Sequence, residues 1–431
     1  MSRLNFKANS PRIVLVLFGL SLVALTATDL PVYTRLAYLW GFLLVGNWVW
    51  SALSLRGVRF QRGARTQRAQ VGQIFEERFE IQNSSSLPRL WIEVRDQSSL
   101  PGARGSRVLT MIGGRQQRSY RTRTRLVQRG VFSLGPTVLA SGDIFGLFPV
   151  SRSVPSDSSL LVYPTMVEVR AFPSPPGLLP GGEALQRRTH QVTPNASGVR
   201  DYVHGDSLSR IHWLSTARRD RLMVKEFELD PLAEVWIFLD AARIVQASLP
   251  YSLPDQAADA LWRSWEEVEL PPSTEEYAVS IAASLGRYFL RRRRAVGLVS
   301  YSHPQSLNVL PPDRGGRQLG KILEALALLR ADGNLPISAL ATAQAQHLTR
   351  GSTVILITPD VGNELALAVD TLLQRGLRPV VVLIDAASFG GSPGTADLAG
   401  AIAAMNVPVC QVANGADLGA ALSIASTWGT L

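Results

Sequence analysis

The chain is 431 residues long, 46% apolar and only 18% charged, with a formal net charge of +10. That length leaves room for two or three domains, and the apolar share is high for a wholly soluble protein. Its single cysteine, Cys410, excludes an intrachain disulfide and agrees with a reducing cytoplasm.

Two apolar runs near the N-terminus explain the excess. Ile13 to Thr28 and Leu36 to Leu55 carry no charge, and at 1.5 Å per residue the second extends about 30 Å, the thickness of a hydrocarbon core. Tyr33, Tyr38, Trp40, Trp48 and Trp50 stand near the ends of the second run, where amphipathic rings favour the membrane interface. Arg3, Lys7 and Arg12 precede the pair, and Arg56, Arg59, Arg62, Arg65 and Arg68 follow it. The positive-inside rule therefore predicts a two-helix transmembrane hairpin in the plasma (inner) membrane, with the bulk of the chain cytoplasmic. A cleaved signal peptide is the competing reading, and the second run close behind the first argues against it.

Between Arg56 and Gly130 stand 16 arginines, no lysine and five acids, a net +11 that accounts for the whole excess of charge. Short alternating runs, FEERFEIQN, RLWIEVRD, RTRTRLV and VFSLGP, are separated by Gly, Pro, Asn and Ser, which predicts a small β-sandwich. Arg121, Arg123 and Arg125 alternate with Thr122 and Thr124 and so share one strand face. A solvated face is the plain reading, and attraction to anionic headgroups is the next. Nucleic acid is not expected, because the interleaved aromatics of a stacking platform are missing. Gly130, Gly135 and Gly146 suit turns, and Phe132, Phe145 and Phe148 suit the core.

Residues 173–198 contain PSPPGLLPGG and read as a linker. The block that follows is the most distinctive of the chain: SGVRDYVHGDSLSRIHWLSTARRDRLMVKEFE, from Ser197 to Glu228. Gly205 and Asp206 read as a turn into a helix N-cap, with the helix over about Ser207 to Arg218. On it Asp206 and Arg210 are four apart in the favourable order, and Ile211, Trp213, Leu214 and Ala217 supply apolar anchors. Arg200, Asp201, Tyr202, Gly205, Asp206, Arg210, His212, Trp213, Thr216, Ala217 and Arg218 are the candidate site residues. They form a partner-contact surface with Trp, Tyr and Arg as hot spots, or else Arg200, Asp201, Asp206, Arg210 and Arg218 form buried ion pairs that lock the linker against the following α/β sheet, with Tyr202 and Trp213 filling the seam. Ser209, His212, Asp206 and Asp201 also offer a nucleophile, a base and orienting acids, but no G-x-S-x-G elbow or glycine-rich oxyanion loop accompanies them. His204, Asp206 and His212 lack the thiolate pair or third histidine of a zinc site.

The pattern R-D-Y-V-H-G-D, then R-I-H-W, T-A-R and V-K, resembles the bacterial family called domain of unknown function 58. R-G-V-F-S-L-G-P at Arg129 to Pro136 and D-I-F-G-L-F at Asp143 to Phe148 resemble further landmarks of that family. The resemblance implies a membrane-anchored protein with a von Willebrand factor A-like (vWA-like) domain and a MoxR-type AAA+ ATPase as partner.

Beyond the block, strands and helices alternate: EVWIFLD, Glu275 to Arg294, AVGLVSY, Gln318 to Arg330, TVILIT, Glu364 to Gln374, PVVVLID, Asp397 to Met405, PVCQV and a last helix after Gly415. Near-continuous apolar strands between helices predict a buried parallel sheet and a Rossmann-like vWA fold. In metal-binding vWA domains the first strand ends in D-x-S-x-S. Here Asp240 is present but Ala242 and Ile244 replace the hydroxyls, so Asp240 and Asp360 make a poor cage for a hard cation. Gly315 to Lys321 fits G-x-x-x-x-G-K until Ile322 stands in the Ser/Thr position, so no phosphate loop is expected. Arg291 to Arg294 end a helix, where positive charge suits the dipole.

The expected architecture is a membrane-anchored chain of α/β and all-β parts: a transmembrane hairpin at 1–57, a β-sandwich at 58–172, a linker at 173–198, and the signature segment with the vWA-like domain at 199–431. The expected role is a non-enzymatic scaffold that engages a MoxR-like ATPase, with no cofactor. The rivals are a membrane-face hydrolase and a lipid or envelope sensor.

Overall fold

The computed structural model describes residues 10–28, 30–173, 196–203, 211–227, 234–251, 270–302 and 306–423. They fall into two compact units, one built on Met1–Thr165 and one on Met166–Tyr251 and Leu270–Leu431.

The first unit opens with a pair of apolar helices, α1 (Ser10–Ala27) and α2 (Pro31–Ser54). Pro31 stands at the first turn of α2, where its missing N–H costs nothing. Among the described residues only α2 is long and apolar enough to cross a membrane; the apolar stretch of α1, Pro11–Ala27, is shorter. Gly41 lets the Phe18 ring come against α2, since a Cβ there would stand 3.3 Å from it. Elsewhere the pair presents bare apolar side chains, among them Val16, Val23, Phe42, Val45 and Trp48.

Ten short strands follow: β1 (Val58–Ala64), β2 (Arg68–Gln70), β3 (Ile74–Asn83), β4 (Arg89–Asp96), β5 (Arg107–Ile112), β6 (Gln117–Arg125), β7 (Gly130–Ser133), β8 (Thr137–Ser141), β9 (Val150–Val154) and β10 (Ser159–Tyr163). One sheet has the order β1-β3-β6 and another β5-β4-β8-β9, both antiparallel. Phe79, Ile81 and Tyr120 from the first meet Ile92, Val94 and Leu139 from the second in one core. A third small sheet, β2-β10-β7, closes over Leu126, Leu134 and Leu160. Within the first core the Arg62 guanidinium is buried between Glu77 at 2.7 Å and Asp96 at 2.8 Å. Burial pushes the Glu77 carboxyl up despite that cation.

Thr122 and Thr124 point inward while Arg121 and Arg123 are exposed, as the alternation predicts, and Arg123 pairs with Glu76 at 2.6 Å. Phe145 departs from expectation. It is 61% exposed, and Phe148 is only half-buried, because the buried Asp143 carboxylate accepts from the backbone N–H groups of Phe145, Leu147 and Phe148 and turns the loop outward. The sandwich also ends earlier than expected, at Thr165. Met166 to Phe172 runs along a helix of the second unit, where the Val167 N–H donates to Ser284 Oγ and the Phe172 N–H to the Tyr288 hydroxyl.

The first regular elements described in the second unit are the hairpin strand β11 (Ala196–Asp201), helix α3 (Trp213–Arg219) and strand β12 (Met223–Phe227). Its body comprises β13 (Val235–Leu239), α4 (Thr274–Arg291), β14 (Val296–Ser302), β15 (Ser306–Asp313), α5 (Gln318–Leu328), α6 (Ile337–Ala345), β16 (Thr353–Thr358), α7 (Asn363–Gln374), β17 (Arg378–Ile384), α8 (Thr395–Ala403), β18 (Val409–Val412) and α9 (Leu418–Leu422). The six-stranded sheet has the order β15-β14-β13-β16-β17-β18. All neighbours are parallel except β15, which runs antiparallel on the edge. β13 and β16 are buried at every residue, so both faces need cover. Leu340, Leu365, Val369 and Ile402 of α6, α7 and α8 pack on one face with Trp236 and Phe238; α4 lies against β13, β14, β16 and β17. The expected all-parallel sheet is thus mixed, and β15 and α6 were not foreseen. Pro311 and Pro312 sit inside β15, where an edge strand can spare their missing donors.

Candidate functional site

The signature block folds as a hairpin that carries a short helix. β11 pairs antiparallel with β12, from Asp201 opposite Met223 to Ala196 opposite Phe227. The ladder continues past the strands: the Tyr202 N–H donates to the Leu222 carbonyl at 2.9 Å and the His212 N–H to the Met223 carbonyl at 2.8 Å. Ile211, Met223 and Val224 are buried and anchor the hairpin.

The expected helix over Ser207 to Arg218 is corrected to Trp213–Arg219. His212 caps it: Nδ1 accepts from the Ser215 N–H at 3.2 Å and lies 2.8 Å from Ser215 Oγ. Asp220 ends it in the left-handed region at φ 51°. Thr216 reaches back to the return strand, its Oγ1 accepting from the Met223 N–H at 3.0 Å. His212 and Thr216 therefore act on the backbone and hold α3 in place. His204, Gly205, Asp206, Ser209 and Arg210, and the side chain of Arg200, lie outside the described residues, as does most of the 173–198 linker.

Of the predicted apolar anchors only Ile211 is buried. Trp213 is 68% exposed and Leu214 61%, and Ala217 and Arg218 are exposed beside them. Trp213 does not fill a seam, because α3 buries none of its residues. Asp201 pairs with Arg221 at 3.1 Å, both more than half exposed; of the residues expected to form buried ion pairs, Asp206, Arg210 and the Arg200 side chain lie outside the described residues. Tyr202 is half-buried. Val203 and Leu222, which the sequence reading did not single out, are exposed apolar neighbours in the same hairpin.

Asp240 and Asp360 follow β13 and β16, neighbours in the sheet, and so stand at its carboxyl edge. Asp240 is buried. Its Oδ2 accepts from Thr358 Oγ1 at 2.6 Å and its Oδ1 from the Ala242 N–H at 3.0 Å. Asp360 Oδ1 accepts from the Gly362 N–H at 2.9 Å. Burial pushes the Asp240 carboxyl up to about 6, against the pull of Thr358 and the Ala242 N–H, and Asp360 adds to the rise. Both Asp240 oxygens are thus satisfied by the chain itself, and among the described residues no three His, Cys, Asp or Glu side chains gather as a metal cluster.

The glycine loop at Gly315 to Lys321 lies at the other end of the sheet. Antiparallel β15 ends at Asp313 opposite Val296, the first residue of β14. α/β sheets take their ligands outside the carboxyl ends of the strands, so this loop is at the wrong edge for a phosphate. Gln318, buried, uses its amide on the carbonyls of Val296 and Pro311 instead.

An α/β unit with an exposed hairpin helix, in a chain with an apolar helix pair, is the class of protein that these elements define. The family described as protein of unknown function DUF58 matches residues 198–251, the segment of the hairpin and the first strand of the sheet. It is 26% identical over 219 residues to the uncharacterized protein YeaD of Bacillus subtilis (strain 168), a match covering 50% of this chain and 46% of that protein. The chain thus spans about half the length of this curated relative. Among solved structures, the SpRpn10 VWA domain is similar at 12% identity and a TM-score of 0.29, covering 44% of this chain and 93% of that one. The CARDB domain of the PF1109 protein from Pyrococcus furiosus is similar at 9% identity and a TM-score of 0.18, covering 24% and 91%.

Proposed function

We propose that this chain is a membrane-anchored scaffold without chemistry of its own, which engages a protein partner through α3, and that the partner is a MoxR-type AAA+ ATPase. Trp213 and Leu214 carry this reading: two large apolar side chains, exposed and adjacent, on a helix that His212 and Thr216 fix to a hairpin. Aromatic anchors with arginines beside them are the usual hot spots of protein interfaces, and Arg218 and Arg219 end the same helix. His212 Nδ1 is engaged by Ser215 and Asp240 by Thr358, which favours a structural use of both over catalysis. ATP hydrolysis then belongs to the partner.

The six-stranded sheet is read as vWA-like and Rossmann-like, with strand order 3-2-1-4-5-6 when numbered from β13. The length and bare apolar surface of α2 support anchoring in the plasma (inner) membrane. The basic flanks support a hairpin of α1 and α2 with the β domain and the second unit cytoplasmic.

Capture of the purified ATPase by the intact protein in detergent tests this reading. Replacing Trp213 and Leu214 by alanine should weaken capture by about tenfold or more, since a hot-spot truncation costs about 2 kcal/mol. Asp240→Asn should leave it unchanged. Equal capture by the wild type and the double variant overturns the proposal, and substrate turnover lost on His212→Ala moves the assignment to a hydrolase.

A further inference from the structure

The loop between β8 and β9 presents Ile144, 69% exposed, next to Phe145. Three bonds from Asp143 shape it, and Gly146 turns it at φ 72°. The tip is therefore held outward as a preformed wedge.

Its position is fixed by α2. Ser51, in the last turn of that helix, donates from Oγ to the Phe148 carbonyl, so the loop lies beside the end of the apolar span. Trp48, exposed on α2 one turn earlier, marks the level at which indole rings favour the membrane interface. The same pole gathers other tips. Arg89 pairs with Ile112 in the ladder, which places Met111 there, and the Asn83 amide binds the carbonyls of Leu87 and Gly113. Of the six exposed large apolar side chains between residues 58 and 165, Leu87, Met111, Ile144 and Phe145 stand at this pole; Val108 and Val131 do not. Exposed Arg56, Arg115 and Arg118 surround them, suited to headgroup phosphates.

We propose that the Ile144–Phe145 tip inserts into the headgroup boundary of the bilayer that α2 crosses, making the β domain a second, peripheral membrane contact. This rests on the anchoring proposed above. Apolar side chains in such a boundary reach about 5–10 Å into it, within reach of a tip bonded to the last turn of the span. The occupant is lipid because the wedge continues the apolar surface of α2 at its end.

The test uses the intact protein in phosphatidylcholine nanodiscs, with a nitroxide near the top of the lipid acyl chains. A fluorophore is attached at Ile144→Cys, at Val131→Cys beyond the far end of β4, or at Val45→Cys within α2. Cys410 is buried, so the introduced thiol takes the label, and the three side chains replaced are exposed, so the fold is kept. Quenching at position 144 at least about twofold stronger than at 131, with quenching at 45, is the expected result for a side chain at that depth. Quenching at 45 with equal, weak quenching at 144 and 131 overturns the wedge and leaves the anchor standing, and a protein partner then covers the tip. No quenching at 45 overturns the anchor.

Discussion

The Thr358 hydroxyl donates to Asp240 Oδ2 at 2.6 Å and accepts from the Asp360 N–H at 2.9 Å, so one side chain joins the ends of two neighbouring parallel strands. It also holds down a carboxyl that burial pushes up to about 6. Asp240 binds its proton more tightly folded than unfolded, because an unfolded Asp titrates near about 4. Its contribution to stability is then fully present below about pH 4 and is lost as the pH rises through about 6, up to a total of about 3 kcal/mol. Urea unfolding of wild type and Asp240→Asn between pH 4 and 8 checks this: the wild type should lose stability relative to the variant as the pH rises. A gap that is constant, or that opens the other way, contradicts it.

Thr358→Val removes the donor that favours the Asp240 anion, so the carboxyl should titrate higher still. The pH midpoint of the stability difference between Thr358→Val and Thr358→Val with Asp240→Asn should move above the wild-type midpoint. A midpoint at or below the wild-type value would show that the hydroxyl does not act on the charge.

Arg89, buried at the start of β4, donates to the carbonyls of Leu53 at 2.7 Å and Arg56 at 2.6 Å, satisfying the C-terminal end of α2. Arg89→Met should lower the unfolding free energy by about 1.5–3 kcal/mol, since hydrogen bonds from a charged donor are lost. Thermal unfolding in detergent measures it, and an unchanged midpoint would remove the clamp from the account.

Arg62 lies between two buried carboxylates, and removing one partner of such a set leaves uncompensated charge. Arg62→Met should destabilise the first unit by about 3–5 kcal/mol. Charge-reversing the exposed pair of Arg123 and Glu76 should cost less than about 1 kcal/mol by the same unfolding measurement.

Thr216→Val keeps the shape of the side chain but leaves the Met223 N–H without its acceptor. Limited proteolysis of the hairpin should speed up, with a cost of about 1–3 kcal/mol, and partner capture should fall with it. A hairpin as resistant as the wild type would deny Thr216 its role.

Much of this was legible in the residues. The strands EVWIFL, TVILIT and PVVVLI are continuous apolar runs that only a sheet covered on both faces can bury, and the alternation of RTRTR fixed which side of β6 carries charge. Local composition could not show β15, whose paired prolines read as a break until its edge position is known. Nor could it place Phe145: an aromatic in DIFGLF is as good a core residue as Leu147 until Asp143 spends its oxygens on the backbone. The signature helix began six residues late because His212, not an acid upstream, supplies the cap. The outward face of α3 was ambiguous in the sequence for a related reason, since Trp213 and Leu214 have the chemistry of a buried seam and of a docking surface alike.

Only Leu55, Arg56 and Gly57 separate α2 from β1, and the Arg89 guanidinium grips the carbonyls of two residues at that junction. There is no stalk, and the joint is locked. A helix so mounted works as an axle: any lean or twist imposed on α2 swings the whole sandwich through the same angle, carrying its loops with it.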